Sequence, residues 1–249
     1  MRILTGHQPV YLPWLGLIHK ASLADIFILM DDVKYLEQDW NNRNCIKSPQ
    51  GEPIWLTVPV DIKKSSSKKL KDIRINDEKQ KSERKRWQNV HWSSIRMAYG
   101  KSNFFKKYSS FFEWLYLEKK WRTLTDLNLA ILRQIFEWFD IRAEIVIASD
   151  YCFKQKKSDL VIEHGLRFNA DIIVTGINGK NYMDTDKAEK NGIKIVFQEY
   201  EHPRYVQRFG NFLSHLSFID LLFNNGPDSK EICLRNNLTR ENICSLMKL

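Results

Sequence analysis

Short apolar runs alternate with helix-length amphipathic segments along this chain. The runs that predict buried strands are residues 2–5, 26–30, 54–60, 144–148, 171–175 and 193–197. Strands that alternate with helices of ten to fifteen residues are typical of βαβ crossovers. The pattern therefore predicts an α/β fold with a mostly parallel, doubly wound sheet. The run at 54–60 is apolar throughout, which predicts a central strand with Pro59 at its end or at a bulge.

Apolar residues at helical spacing indicate where the helices lie. Segments 17–24, 158–169 and 217–223 are predicted helices, and a helical insertion is predicted over about 82–140. Inside that insertion, Thr123 to Asp126 fits a helix-capping pattern. No repeat or linker divides the chain, so residues 1–249 are predicted to form a single domain.

The positive charge is concentrated in one segment. The chain has a formal net charge of +9, and residues 62–86 hold eleven Lys and Arg against four Asp and Glu. This basic loop could be a solvated surface loop, or an arm that closes on a phosphate-bearing substrate. Nucleic-acid binding is a third alternative, although few aromatic residues are interleaved with the charge.

Composition and spacing argue against several classes of protein. No apolar stretch approaches the roughly 18 residues of a membrane span, and Pro9, Pro13 and Gly16 interrupt any signal-peptide pattern. A cytoplasmic protein is the expectation. The four cysteines and six histidines lack zinc-site spacings, and no G-x-S-x-G elbow occurs. Reduced thiols are therefore expected, with neither a zinc site nor a hydrolase triad.

Three unusual loops follow predicted strands, at residues 6–16, 31–44 and 176–184. In an open parallel sheet, ligands bind outside the carboxyl ends of the strands, so these loops are expected to converge on one site. The first loop also leads into a helix, whose N-terminal N–H groups could hold a phosphate. It lacks the G-x-G-x-x-G and Walker patterns, which disfavours both a dinucleotide fold and a Walker-type NTPase.

His7, Asp31 and Asp32 are the candidate catalytic residues. The His7 imidazole could stabilise charge that develops on a phosphoryl or acyl group, or it could only order its own loop through a backbone carbonyl. Asp31 or Asp32 could bind a Mg²⁺ ion that bridges phosphates, act as a base, or cap the next turn. The candidate substrate- and phosphate-binding residues are Gln8, Tyr11, Asn42, Arg43, Asn44, Lys47, Gly176, Gly179, Lys180 and Tyr182.

Several of these motifs together resemble a known family. They are residues 7–16, 31–33, 42–47, 55–60, 175–184 and 217–226. In this order, and over most of the chain, they are similar to the WbqC-like family. That resemblance implies a role in the synthesis of bacterial O-antigen or another surface polysaccharide.

A more distant resemblance is to the nucleotidyltransferase and pantothenate synthetase group of α/β enzymes. There, the first strand leads into a loop with an H-x-G-H-type signature. The resemblance implies a Rossmann-like, nucleotidyltransferase-type sheet and, more weakly, adenylyl transfer. Leu17 stands where the second signature histidine would be, and His19 lies two positions further on.

The leading hypothesis is an enzyme of surface-glycan assembly. It would transfer an acyl or aminoacyl group from an unidentified donor onto the amine of a nucleotide-linked sugar, with ATP and Mg²⁺ as candidate cofactors. The alternatives are a non-catalytic nucleotide-sugar-binding module and a basic protein that binds tRNA or another nucleic acid. Function belongs to sites rather than to folds, so the geometry of the site has to separate these hypotheses.

Overall fold

The computed structural model describes residues 1–61, 68–76 and 85–245. Its strands are β1 (Ile3–His7), β2 (Ile26–Leu29), β3 (Arg43–Lys47), β4 (Pro53–Thr57), β5 (Glu144–Ile147), β6 (Ile172–Gly176) and β7 (Lys194–Gln198). Its α-helices are α1 (Leu15–Ser22), α2 (Trp87–Tyr99), α3 (Phe105–Glu113), α4 (Leu124–Trp138), α5 (Lys157–Arg167), α6 (Thr185–Lys190), α7 (Phe218–Asn225), α8 (Ser229–Leu234) and α9 (Arg240–Ser245).

Five strands form one parallel sheet in the order β5-β2-β1-β6-β7. From β1 the chain moves outward through β2 to β5. It then returns to the other side of β1 for β6 and β7. The direction of winding therefore reverses between β1 and β6, which makes that position the topological switch point. The predicted α/β fold with a mostly parallel sheet is confirmed.

Helices cover both faces of this sheet because successive strand residues point to opposite faces. Leu4 and Ile173 pack against Ile162 of α5 and Ala188 of α6. Side chains of the same strands that point the other way pack with α1, α9 and the helical region. These are Ile3, Ile172 and Val174, together with Phe27 and Leu29 of β2. The arrangement is doubly wound, as the strand–helix alternation predicts.

The segment between β4 and β5 supplies most of the aromatic core. Helices α2, α3 and α4 pack together with α7, and a short π-helical turn (Trp114–Glu118) follows α3. The predicted cap of α4 is present, since the Thr123 Oγ1 accepts a hydrogen bond from the Asp126 backbone N–H at 3.1 Å. Residues 62–67 and 77–84 of the basic loop lie outside the described residues, as does the predicted start of the helical insertion. Between them, residues 68–76 contain a 3₁₀ helix (Leu70–Asp72), and Leu70, Ile73 and Ile75 are buried. This middle part of the basic loop is therefore packed against the protein, and the function of the loop stays a prediction.

One strand prediction is wrong. The apolar run at 54–60 is not central: β4 pairs antiparallel with β3 in a separate two-stranded hairpin. Trp55 in this run is 48% exposed, so the run is apolar without being buried on both faces. Its partner β3 begins in a polar segment that the sequence indicates as a loop. Residues Ile177–Asn181, also expected as loop, form a 3₁₀ helix.

Candidate active site at the switch point

The two strands at the switch point separate before they end. Pairing between β1 and β6 stops at Thr5 and Val174. Each strand nevertheless continues for two more residues and stays paired with its outer neighbour, His7 with Leu29 and Gly176 with Gln198. The carboxyl ends of β1 and β6 therefore border a crevice, which is where open α/β sheets bind ligands.

His7 is the last residue of β1 and is partly exposed at this crevice. Its Nδ1 lies 3.0 Å from the Gln8 carbonyl oxygen, which can only accept. The hydrogen is therefore on Nδ1, and Nε2 keeps its lone pair. Burial, and secondarily the Lys20 ammonium, lower the pKa of His7 to about 3. The imidazole is thus neutral at pH 7 and acts as an acceptor or base rather than as a cation.

Lys20 on α1 brings a cation to the same place. The side chain is buried, and its Nζ donates to the Gly6 carbonyl oxygen at 3.0 Å. No described carboxylate forms an ion pair with it, although an unpaired buried charge is costly. Burial lowers the pKa of Lys20 to about 8. Sequence reasoning missed this residue, although a lysine among the apolar positions of α1 was a usable signal.

The two predicted acids occupy different environments. Asp31 is buried, and its Oδ1 and Oδ2 accept hydrogen bonds from the backbone N–H and hydroxyl of Ser149, at 2.9 and 2.8 Å. This carboxylate joins the ends of β2 and β5, and burial raises its pKa. The Asp32 Oδ1 is instead buried with no hydrogen-bond partner among the described residues. Of the two, only Asp32 has a carboxylate oxygen free for a ligand.

This arrangement provides few ligands for the predicted Mg²⁺ ion. Both Asp31 oxygens already accept hydrogen bonds, and no group of three metal-ligating side chains occurs within residues 1–61, 68–76 and 85–245. Mg²⁺ can be held by one carboxylate and substrate phosphates, so Asp32 is the residue that would bind it.

The N-terminus of α1, where the sequence suggests a phosphate site, lies among buried side chains. The first turn of α1 is buried, and Tyr200 and Trp14 close around Gly16. The preceding loop is held against the start of α7, since the Phe218 backbone N–H donates to the Pro13 carbonyl oxygen at 2.9 Å. Neighbouring side chains therefore surround this turn.

Tyr11, a predicted substrate-binding residue, is part of the core. Its hydroxyl lies 2.5 Å from the Tyr116 hydroxyl and 2.8 Å from the His91 Nδ1, and the side chain is fully buried. Burial lowers the pKa of His91 to about 3, so the imidazole in this network is neutral. The three side chains hold the loop after β1 against α2.

Three further predicted ligand-binding residues also stabilise the fold. The Asn44 Nδ2 donates to the Leu12 carbonyl oxygen at 2.6 Å, and the Asn42 Nδ2 donates to the Val58 carbonyl oxygen at 2.9 Å. The Lys47 Nζ donates to the Gln207 side chain and the Asn211 carbonyl oxygen. All three side chains are buried and have these hydrogen-bond partners within the fold, which is a structural role.

The residues that follow β6 are nearer to solvent. The Lys180 ammonium lies 2.5 Å from the Glu199 Oε1 and is paired. A Cβ at Gly179 would lie 2.5 Å from the Thr175 Oγ1, so that glycine is required by packing. Gly176 faces open space at the crevice, and Tyr182 is half exposed.

Gln8 follows β1, and Arg43 begins β3 of the hairpin. The Gln8 Oε1 accepts a hydrogen bond from the Asn41 Nδ2 at 3.3 Å. The Arg43 guanidinium donates to the Gln38 carbonyl oxygen and stacks over the Trp55 ring, 4.8 Å from its centroid. Both side chains are partly exposed, so they stay candidates for ligand contact.

The described part of the chain contains no helix that is long and apolar enough to cross a membrane. The chain is 28% identical over 225 residues to Uncharacterized protein Rv1507c of Mycobacterium tuberculosis, and the match covers 90% of this chain and 94% of that protein. No solved structure matches the present chain. The family model described as the WbqC-like protein family matches residues 8–232. The chain, with its parallel sheet and switch-point crevice, thus belongs to the WbqC-like protein family.

Proposed function

We propose that this protein is an enzyme of bacterial surface-glycan assembly that transfers an acyl or aminoacyl group onto the amine of a nucleotide-linked amino sugar. The observation that carries the proposal is that a buried ammonium without a described carboxylate partner lies near a neutral imidazole, at the point where β1 and β6 separate. Lys20 supplies the ammonium and His7 the imidazole.

The Lys20 ammonium supports a phosphate-bearing substrate. A charge that is removed from water and left without a counter-ion is stabilised when an anion binds beside it. Phosphoryl oxygens provide that anion and accept charge-assisted hydrogen bonds from ammonium groups. A nucleotide-linked sugar carries two phosphates next to the sugar, so the anion and the reacting ring enter the crevice together.

The His7 imidazole supports chemistry at an amine. In the proposed step, the sugar amine attacks the carbonyl carbon of the donor, a C–N bond forms, and the bond to the donor's leaving group breaks with its electron pair. The amine proton passes to the His7 Nε2, the nitrogen that carries the lone pair. Binding of the phosphates beside Lys20 would raise the pKa of His7 from its low value, because the nearby anion favours the protonated imidazole.

Asp32 and ATP have defined places in this proposal. The unpartnered Asp32 Oδ1 is suited to accept a hydrogen bond from the substrate amine or to hold Mg²⁺. When the acid is not supplied already activated, ATP would activate it as an acyl phosphate or acyl adenylate before transfer. Activation would release ADP or pyrophosphate, respectively, and the leaving group of the transfer would then be phosphate or AMP. With a thioester donor, which needs no ATP, the leaving group is a thiol.

A transfer assay tests the proposal. Nucleotide-linked amino sugars would be incubated with acyl thioesters, or with an acid plus ATP and Mg²⁺, and amide products detected by mass spectrometry. We expect His7→Ala and Asp32→Asn to abolish product while the melting temperature changes little. Lys20→Met, which removes the proposed phosphate-binding ammonium, should lower product formation. Lys190→Met removes an exposed lysine from α6, serves as its matched control and should keep full activity.

Other outcomes separate the alternatives. Tight binding of a nucleotide sugar with no product under any donor would identify a non-catalytic binding module instead. Stoichiometric binding of tRNA or duplex that weakens steeply with salt would support the nucleic-acid alternative. Full turnover in both His7→Ala and Asp32→Asn would overturn the proposed mechanism.

A further inference from the structure

A row of aromatic rings runs from the switch point to the β3–β4 hairpin. The His7 ring meets Trp14 edge-on, with centroids 5.4 Å apart. Trp14 is 6.0 Å from Trp40, and Trp40 is 5.5 Å from Trp55 with an angle of 32° between the ring planes. The row therefore links the imidazole of the proposed site to the hairpin without a gap.

The outer half of this row is open to solvent. Trp40 is 38% exposed and Trp55 is 48% exposed in the described part of the chain, and Trp14 is partly buried. Two neighbouring exposed indoles leave a large apolar area in water, and large exposed apolar patches usually mark binding surfaces. The β3–β4 pairing is complete through its backbone, so the fold does not require an indole at the outward-facing position of Trp55.

Polar groups border these rings. The Arg43 guanidinium lies 4.8 Å from the centre of the Trp55 ring, and its NH2 donates to the Gln38 carbonyl oxygen. The guanidinium has five N–H donors, so some remain for acceptors on a ring stacked nearby. Planar heterocycles with carbonyl acceptors at their edges match this combination of indole faces and donors.

We infer that Trp40 and Trp55 form a stacking subsite for the nucleobase of the substrate, with Arg43 facing the edge of the base. The inference rests on the proposed function and deepens it, because it orients the substrate. The base lies on the hairpin, the phosphates lie at Lys20, and the sugar amine lies at His7. Stacking on indole accepts any base, so the hydrogen bonds from Arg43 provide the preference among bases.

The test compares probes with and without a base. Binding of UMP, dTMP, CMP, GMP and AMP, and of base-free glucosamine 1-phosphate, would be measured by calorimetry with the wild-type protein and with Trp40→Ala and Trp55→Ala. We expect each substitution to weaken the best nucleotide roughly 5- to 150-fold and to leave glucosamine 1-phosphate unchanged. Trp55→Phe keeps a ring and should retain most of the affinity.

Trp114→Ala is the matched control, since Trp114 is a 36% exposed indole at the end of α3 and away from this row. It should bind every probe like the wild type. Unchanged nucleotide affinity in both alanine variants, equal loss for the base-free probe, or no nucleotide binding by the wild type would each overturn the stacking subsite.

The transfer assay keeps the two proposals apart. Base-dependent binding that needs Trp40 and Trp55, but without amide product, would leave the stacking subsite standing and remove the proposed function. If Trp40→Ala and Trp55→Ala carried out amide transfer with an unchanged KM for the nucleotide sugar, the proposed function would stand and the stacking subsite would be overturned.

Discussion

The Lys20 ammonium lies close enough to the His7 imidazole, at the carboxyl end of β1, to disfavour a proton on that ring. The ammonium is one of the causes that lower the pKa of His7, and burial lowers the pKa of Lys20 itself. An anion that binds beside this pair would raise both pKa values because it stabilises both protonated forms. The pair is thus electrostatically suited to an anionic ligand.

Replacing Lys20 by Met should separate stability from binding. Met keeps most of the side-chain volume and removes a buried charge, so we expect the free energy of unfolding at pH 7 to stay the same or to rise by about 1–3 kcal/mol. The affinity for nucleotides should fall at least about tenfold, a loss of roughly 1.4 kcal/mol. Urea denaturation and calorimetry measure the two effects, with Lys190→Met as the control.

The same variant gives a pH test. The pKa of Lys20 is near 8 in the folded protein against 10.5 for an ordinary lysine. Between about pH 8 and 10.5 the unfolded chain binds more protons at this site, so the wild type gains stability relative to Lys20→Met as the pH rises through this window. A stability difference between the two proteins that is constant from pH 7 to 10 would show that Lys20 is not desolvated.

Acid should destabilise the protein through the histidines whose pKa values are lowered in the folded state. Burial lowers the pKa of His7 and His91 to about 3 and that of His164 to about 4, against 6.5 for an ordinary histidine. Below pH 6.5 the unfolded chain takes up protons that the folded protein excludes, so the free energy of unfolding falls from pH 6.5 towards 4. Urea midpoints measured across this range check the direction.

His164 isolates part of this effect. Its Nε2 is buried with no hydrogen-bond partner among the described residues. His164→Met should therefore leave stability at pH 7 within about 1 kcal/mol and reduce the loss between pH 6.5 and 4.5. An identical acid loss in His164→Met and the wild type would contradict the assignment.

The Tyr11 hydroxyl is the centre of its network, and the two tyrosines should differ in cost. In Tyr116→Phe the Tyr11 hydroxyl keeps its bond to the His91 Nδ1, so we expect a loss of about 1 kcal/mol. Tyr11→Phe leaves both other polar groups without that partner and should cost about 2–4 kcal/mol. Chemical denaturation gives both values, and equal costs would argue against this geometry.

Substitution of Asp31 should lower stability, whereas substitution of Asp32 should lower activity. Asp31→Ala removes two hydrogen bonds from Ser149 at a buried carboxylate, so we expect a loss of about 2–4 kcal/mol of stability. Asp32→Asn should stay within about 1 kcal/mol of the wild type and lose activity. Thermal melts and the transfer assay distinguish the two. A destabilised Asp32→Asn protein would make that residue structural.

Several features followed from local pattern. Strands β1, β2, β5, β6 and β7 lie where apolar runs predict them, because a strand buried on both faces reads as a continuous apolar segment. Arg43–Lys47 was missed as a strand, and the run at 54–60 was misplaced. Both belong to a hairpin whose pairing depends on tertiary contacts that local propensity does not encode.

The sequence by itself determined the α/β class, the family resemblance, and His7 at the end of the first strand. Only the tertiary structure decided which polar side chains stay available. Four predicted ligand-binding side chains instead form hydrogen bonds inside the protein, because a buried polar group is stable only when neighbours provide hydrogen-bond partners. They are Tyr11, Asn42, Asn44 and Lys47. Lys20 is left without a counter-ion for the opposite reason: its helix packs it beside β1, where no described carboxylate reaches it.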